Sequence, residues 1–223
     1  KPEHLTRVFG YQRCLTQKNM LLRSAKVDRG VLRALNQTLA KQAGVLALCR
    51  LSMLQELVPF IRGVHQDLSD AKESLDLRYR TRCDGQDAKS YEALLFERLC
   101  EIEEDEIKKR VSLVGPHHDE VDIQINGRSA RTYASQGQGR TLVLAMKLGE
   151  LLAARQRGEE PLFLLDDLGS EMDESRTSRL LALLTDLGTQ VFITTMRPKI
   201  ASLLGGDQVD EIERIIPTHN EVY

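Results

Sequence analysis

The apolar positions of this chain change their period about halfway along. Up to residue 110 they recur at helical spacing. Leu5, Val8, Phe9, Leu15, Leu21 and Leu22 predict a helix over 5–26. Val31, Leu32, Leu35, Leu39, Val45, Leu46, Leu48, Leu51, Leu54 and Leu57 predict a longer one, with Asp28 as its N-cap. Pro59, which lacks an N–H and crowds the preceding turn, is expected to end or kink it. Residues 64–72 have room for another helical turn or two. Leu75, Leu77 and Tyr79 alternate with charged residues, the pattern of a half-buried strand. Asp84-Gly85 is a turn signal. Residues 87–110 read as helix, and Lys108, Lys109 and Arg110 in its last turn suit the helix dipole.

The texture shifts near Val111, and Gly115-Pro116 breaks the helical pattern. Val121, Ile123 and Ile125 alternate with polar residues up to Asn126-Gly127, a hairpin turn signal, with a return strand expected through Ala130 and Thr132. Residues 136–156 read as helix. Leu162–Leu165 is a wholly apolar strand of the kind found in sheets covered on both faces. A helix over 174–187, a strand over Val191–Thr194, a short helix over 198–204 and a last strand around Ile212–Ile216 complete the series. Helices first and β-α-β units afterwards predict an α/β protein with a mainly helical lobe at 1–112 and an α/β lobe at 113–223.

Composition changes this picture little. Of 223 residues, 41% are apolar and 29% charged, enough to bury a core. No run of 18 apolar residues occurs, so no transmembrane helix is expected. The start, Lys1-Pro2-Glu3-His4, has neither a signal-peptide core nor an initiator Met, which points to a trimmed or excised chain. Cys14, Cys49, Cys83 and Cys100 are scattered without a CxxC pair, which argues against zinc and a disulfide framework and for a reducing cytoplasm. His117-His118 has no further ligand spaced nearby.

Charge changes it more. The total is −2, yet the first 50 residues hold ten Lys and Arg against Glu3 and Asp28, a net of +8 that leaves −10 for the remainder. Such asymmetry points to an anionic partner such as DNA, with Arg13, Lys18, Arg23, Lys26, Arg29 and Arg33 as candidate contacts. A solvated helix face is the alternative. Aromatic residues make up only 4%, so base stacking is not expected to dominate, and backbone contact to duplex fits better.

Two strings carry candidate chemistry. Asp166 follows the apolar strand, and ligands of open α/β sheets bind beyond the carboxyl ends of strands. A carboxylate there can hold Mg²⁺ beside nucleotide phosphates, while Asp167 can position or activate an attacking water. Two turn aspartates capping the next helix are the alternative. Ser135 is placed to cap a helix whose first turn holds Gln136, Gly137 and Gln138, and a helix N-terminus favours phosphate. A plain structural cap is the alternative there.

Together these strings closely resemble the RecF family, bacterial recombination-repair ATPases with an ABC/SMC-type head. The resemblance rests on Ser135-Gln136-Gly137-Gln138-Gly139-Arg140-Thr141, on Leu164-Leu165-Asp166-Asp167 and on Ser170-Glu171-Met172-Asp173. Val114-Gly115-Pro116-His117-His118-Asp119-Glu120, Asn126-Gly127-Arg128, Val191-Phe192-Ile193-Thr194-Thr195 and the Tyr11-to-Leu22 segment extend it over nearly the whole chain, most weakly over 28–110. It implies that Ser135, Gly137 and Gln138 form a signature touching the γ-phosphate of ATP held by another subunit. Asp166 becomes the Walker B carboxylate for Mg²⁺ and Asp167 the catalytic acid. Ser170, Glu171 and Asp173 become a D-loop at the dimer seam, and Thr194 and Thr195 the switch. It further implies an ATP-dependent homodimer that binds gapped or junction DNA, works with RecR/RecO-type mediators to load recombinase, and acts in the SOS response near the nucleoid. Four positions depart from the family pattern: His118 stands for Arg, Gly139 for Gln, Gly169 interrupts the D-loop approach, and Met196 follows the switch threonines. Another SMC-like head is the rival reading, although those heads carry a long coiled-coil insertion that the short helical region does not supply. A non-enzymatic DNA- or partner-binding module is the other rival.

No Gly-x-x-x-x-Gly-Lys-Ser/Thr string occurs in the 223 residues. In the family that loop precedes the matched region, so the sequence reads as a C-terminal portion lacking the Walker A segment. The purified chain is therefore expected to hydrolyse no ATP above buffer in a phosphate-release assay; turnover by this chain alone would contradict that reading.

Overall fold

The computed structural model describes residues 2–83, 85, 87–168, 173–187 and 189–195. Its elements are α1 (Pro2–Arg23), α2 (Arg29–Leu68), β1 (Leu75–Arg80), α3 (Ala88–Glu101), α4 (Glu103–Lys109), β2 (Glu120–Ile125), β3 (Arg128–Ser129), α5 (Ala130–Tyr133), α6 (Gln136–Gln156), β4 (Phe163–Leu165), α7 (Glu174–Asp186) and β5 (Val191–Ile193). The protein is mixed helix and sheet. β1, β2 and β3 form one sheet in that order, and β4 pairs with β5 in another. The expected helix at 198–204 and strand at 212–216 lie outside the described residues.

Two compact units emerge, and they interleave in sequence. The first comprises 1–58 with 76–124, the second 59–75 with 125–223. The expected division near residue 112 cuts the chain once. Here, instead, the segment 59–75 joins the second unit, and 113–124 joins the first.

The first unit is built on α1, α2 and α3. Asp28 starts α2 as expected: its Oδ1 accepts from the N–H groups of Gly30 at 2.8 Å and Val31 at 3.1 Å. Asp87 and Ser90 form a reciprocal capping box at the start of α3. The core gathers Tyr11, Cys14, Leu39, Ala43, Leu46, Cys83, Tyr91, Leu95, Leu99 and Val114. Each large side chain buried there contributes about 1.5–3 kcal/mol. Gly44 is what lets α2 meet α3, since a Cβ at that position would lie 2.4 Å from the Ala88 carbonyl oxygen. Cys14 and Cys83 are core fillers, whereas Cys100 is exposed.

Pro59 does not stop α2. The helix runs on to Leu68, 40 residues in all, or about 60 Å at 1.5 Å per residue. Ile61, Val64 and Leu68 beyond the proline are buried in the second unit, and that burial outweighs the lost hydrogen bond. One 18-residue window of α2 is apolar enough on average to match a membrane span, yet Leu32, Leu39, Ala40, Ala43, Leu46 and Ala47 of this helix are core residues.

Three further expectations are corrected. The predicted helix over 87–110 breaks at Ile102 into α3 and α4, and α4 ends on Arg110 in the left-handed region. The hairpin turn is present, with Asn126 and Gly127 both at positive φ, as a two-residue turn matched to strand twist requires. Its return strand is only two residues long, because Ala130–Tyr133 coils into a helical turn, in keeping with the propensity of Ala. The β4–β5 sheet is not covered on both faces among the described residues: Leu164 is 70% and its register partner Phe192 50% exposed.

Lys18, expected at the surface, is fully buried. Its Nζ lies 2.7 Å from Oε2 of Glu106, which is equally buried. Burial pulls the Lys18 pKa below the usual lysine value, while Glu106 pushes it back up. The other Glu106 oxygen accepts from Ser112 Oγ at 3.1 Å and from the Leu113 N–H at 2.9 Å. Lys18→Met leaves that carboxylate without its cation. We expect it to lower the stability of the protein by about 3–5 kcal/mol in urea titrations; an unchanged midpoint would mean that the pair is not buried in solution.

Candidate functional site

The second unit collects the sequence-predicted nucleotide residues that fall among the described ones. β4 and β5 run parallel, with Phe163 opposite Val191, Leu164 opposite Phe192 and Leu165 opposite Ile193. This register brings Asp166 and Thr194 to the same carboxyl end of the sheet, which is where α/β sheets bind ligands. The Thr194 hydroxyl donates a short hydrogen bond to Asp166 Oδ1. The same hydroxyl accepts from the Asp167 N–H at 3.0 Å. The Thr194 N–H donates to the Leu165 carbonyl at 3.0 Å, and its own carbonyl accepts from the Leu168 N–H at 2.9 Å. Thr195 Oγ1 donates to the Leu168 carbonyl at 2.7 Å. The two threonines thus fasten the aspartate turn at both ends.

Asp167 itself sits at φ 52°. A left-handed backbone is uncommon for any residue with a Cβ, and Asp tolerates it better than most. It lets the chain turn sharply off β4, and both Asp166 and Asp167 end exposed to solvent. An exposed carboxylate and a hydroxyl at a strand end are hard oxygen ligands of the type that binds Mg²⁺ together with phosphates and water. Among the described residues no cluster of three His, Cys, Asp or Glu could cage a metal by itself, and Mg²⁺ on nucleotide needs no such cage.

The signature string takes the predicted capping geometry. The Ser135 hydroxyl accepts from the Gln138 N–H at 3.2 Å, while Gln138 Oε1 accepts from the Ser135 N–H at 3.0 Å. The Gly139 N–H closes the first turn on the Ser135 carbonyl at 2.8 Å. Arg140 Nη2 donates to the Asp167 carbonyl at 3.3 Å, tying the signature helix to the aspartate turn. Asp173 caps α7 through a 2.8 Å bond from the Arg176 N–H. Ser170 and Glu171, the other D-loop residues, lie outside the described residues, as does Met196.

Sequence reading missed a polar cluster behind the signature. Glu73 Oε1 accepts from Gln138 Nε2 at 3.2 Å and from Arg176 Nη2 at 3.1 Å. Arg176 Nη1 also donates to Thr141 Oγ1 at 2.6 Å and to the Gly137 carbonyl at 3.2 Å. His65 Nε2 stands 3.5 Å from Glu73 Oε2. Burial pushes the His65 pKa below the ordinary histidine value; Glu73 opposes that shift and Arg176 adds to it. The ring is accordingly neutral near pH 7, and Arg176 is the cation that matches Glu73. No spacing rule links positions 65, 73 and 176, so no local signal marks them.

The predicted DNA-facing cations divide. Arg13, Arg23, Lys26 and Arg33 are exposed. Arg29 is exposed too, but it is held by Glu103 at 2.9 Å and Glu104 at 2.5 Å. Lys18, buried against Glu106, cannot meet a phosphate, and that assignment is withdrawn. The paired histidines belong to a hydrogen-bonded knot in the first unit. Tyr11 Oη and His117 Nδ1 are 2.6 Å apart, and His118 Nε2 is 3.1 Å from the Ser112 carbonyl. Asp119 Oδ2 accepts from Tyr79 at 2.6 Å and from Tyr91 at 3.4 Å.

No protein-family model matches the chain. Curated proteins do. The DNA replication and repair protein RecF of Staphylococcus carnosus (strain TM300) is 38% identical over 201 residues, covering 86% of this chain and 54% of the relative. The protein of the same description from Symbiobacterium thermophilum is 36% identical over 196 residues, covering 86% and 52%. Among solved structures, the recombination mediator protein RecF-ATPrS in the RecFOR pathway superposes with a TM-score of 0.76 at 27% identity, over 93% of this chain and 56% of that one. The RecF-ATP structure gives 0.76 at 28% identity, over 89% and 54%. The chain spans about half the length of the curated relatives it matches. Shared sequence and shared fold agree on one assignment: over most of its length this chain is a homologue of RecF.

Proposed function

We propose that this chain is the signature- and Walker B-bearing part of a RecF-type protein that binds DNA under the control of ATP in recombinational repair. The observation that carries the reading is the pairing of Asp166 with Thr194 at the carboxyl end of β4 and β5, in the same unit as a correctly capped signature helix. Asp166 would hold Mg²⁺, and Asp167 would orient the attacking water. Ser135, Gly137 and Gln138 would receive the γ-phosphate of ATP bound by a second subunit. Ser170, Glu171 and Asp173 would line the seam between the two, and Thr194 and Thr195 would report the state of the nucleotide. ATP supplies the phosphate charge that draws these groups together across a homodimer, and a ligand shared in this way shifts association by its preference for the dimer. The open face of the β4–β5 sheet, with Leu164 and Phe192 side by side, is the place for a P-loop-bearing portion to pack. Gapped or junction DNA, RecR/RecO-type mediators and a cytoplasmic setting at the nucleoid complete the proposal.

Because the signature acts in trans, the chain can be tested beside a full-length RecF relative that brings its own P-loop. Mg²⁺-ATP is expected to promote their association in analytical ultracentrifugation, ADP to fail, and Ser135→Arg to abolish the ATP effect. Association that ignores nucleotide would remove the ATP reading.

DNA binding has its own check. Reversing Arg23, Lys26 and Arg33 to Glu is expected to weaken duplex binding. The plot of log affinity against log salt should flatten by about one unit for each phosphate that the protein no longer neutralises. An unchanged slope would place the DNA elsewhere.

A further inference from the structure

Glu73 lies in none of the strings that identified the site, yet it touches two of them. Its side chain is 10% exposed, and its Oε1 serves both Gln138 of the signature and Arg176 in the first turn of α7. Gln138 is thereby held at both ends of its amide. The oxygen closes the capping box on Ser135, and the nitrogen is anchored on Glu73. Arg176 spans the same gap from the other side. Its Nη1 reaches Thr141 and the Gly137 carbonyl on α6, while its Nε lies 3.5 Å from Asp173, the N-cap of α7. One carboxylate and one guanidinium therefore connect the first turn of the signature helix to the first turn of the helix that follows the aspartate pair. A planar guanidinium fixes direction as well as distance, which a lysine ammonium cannot do.

We propose that Glu73 and Arg176 form a positioning pair that locks the first turns of α6 and α7 together, so that Ser135 and Asp173 move as one body when nucleotide is gained or lost. Its tie to nucleotide rests on the ATP reading above; the lock itself does not. Both residues are assigned an indirect role through the protein groups they hold. Glu73 acts through Gln138, and Arg176 acts through Thr141, the Gly137 carbonyl and Asp173. His65 beside Glu73 is neutral and leaves Arg176 as the sole full positive charge within this set.

Stability and positioning are separable here. Glu73→Gln alone removes the buried counter-charge of Arg176 and leaves it only the exposed Asp173 carboxylate at 3.5 Å, and the thermal midpoint is expected to fall. Adding Arg176→Met removes the orphan charge, and replacing both members of a buried pair is often neutral for stability. The double variant is therefore expected to recover the wild-type midpoint. Its amide hydrogen exchange carries the decision. The amides of Gln138, Gly139 and Thr141 and those of Arg176 and Thr177 are expected to exchange together about tenfold faster, while Leu148 and Leu184 keep wild-type protection. Three results would overturn the proposal: wild-type protection at both turns, loosening of one turn alone, or a midpoint that stays low with exchange raised throughout the unit. The last would make the pair a stability element only. No nucleotide enters the measurement, so its outcome is independent of whether ATP drives association. If the lock holds and the ATP effect exists, the double variant should need more ATP than wild type for half-maximal association.

Discussion

Glu73 leaves water only because Arg176 and Gln138 meet it, and the placement of α6 beside the start of α7 follows from that. An uncompensated carboxylate in such a place would lose several kcal/mol to desolvation. Once the chain brings Glu73 against α6, a cation is required there, and α7 supplies it from its first turn. Arg176 cannot satisfy Glu73, Thr141 and the Gly137 carbonyl together unless the two helices start side by side. The first unit obeys the same constraint in a second place. Lys18 and Glu106 are both fully buried, and Glu106 spends its remaining oxygen on Ser112 and the Leu113 N–H, so α1, α4 and the following loop are held by one charge pair.

This constraint explains what the sequence made legible. Local rules succeeded wherever a residue's job is done within a few positions of itself. Asp28 and Ser135 as caps, Asn126-Gly127 as a turn, and Asp166 after an apolar strand are all such cases. The capped turn at Ser135 and the sharp turn at Asp166-Asp167 are local in the same sense, since each is a short string whose geometry is set close to its own backbone. Thr194 was placed at the switch position by resemblance, and its bond to Asp166 is a consequence of the β4–β5 register. Failures came where distant residues decide. Pro59 was expected to end or kink α2. That it does not end it could not be read locally, because the apolar surface that holds Ile61, Val64 and Leu68 in place comes from residues far along the chain. Glu73, His65 and Arg176 were invisible because nothing in a linear string says that positions 73 and 176 will meet.

Lys18 shows most sharply how sequence charge and surface charge differ. Counted along the chain, the first 50 residues carry +8, and Lys18 and Arg29 are part of that excess. In the folded protein the acids of α4 reach back to both. Glu106 takes Lys18 out of solvent altogether, and Glu103 and Glu104 bracket Arg29. A phosphate approaching Arg29 would have to compete with two carboxylates already at hydrogen-bond distance, and one approaching Lys18 would have no path. Of the six candidate contacts, Arg13, Arg23, Lys26 and Arg33 are exposed without a carboxylate held against them as Arg29 has. Arg23 ends α1, Lys26 lies in the connection that follows and Arg33 sits one turn into α2, so three of these four lie near one helix junction. Counterion release depends on phosphates neutralised and not on the formal charge of a segment. Fewer of the six candidate contacts are therefore open to a phosphate than a count along the sequence suggests.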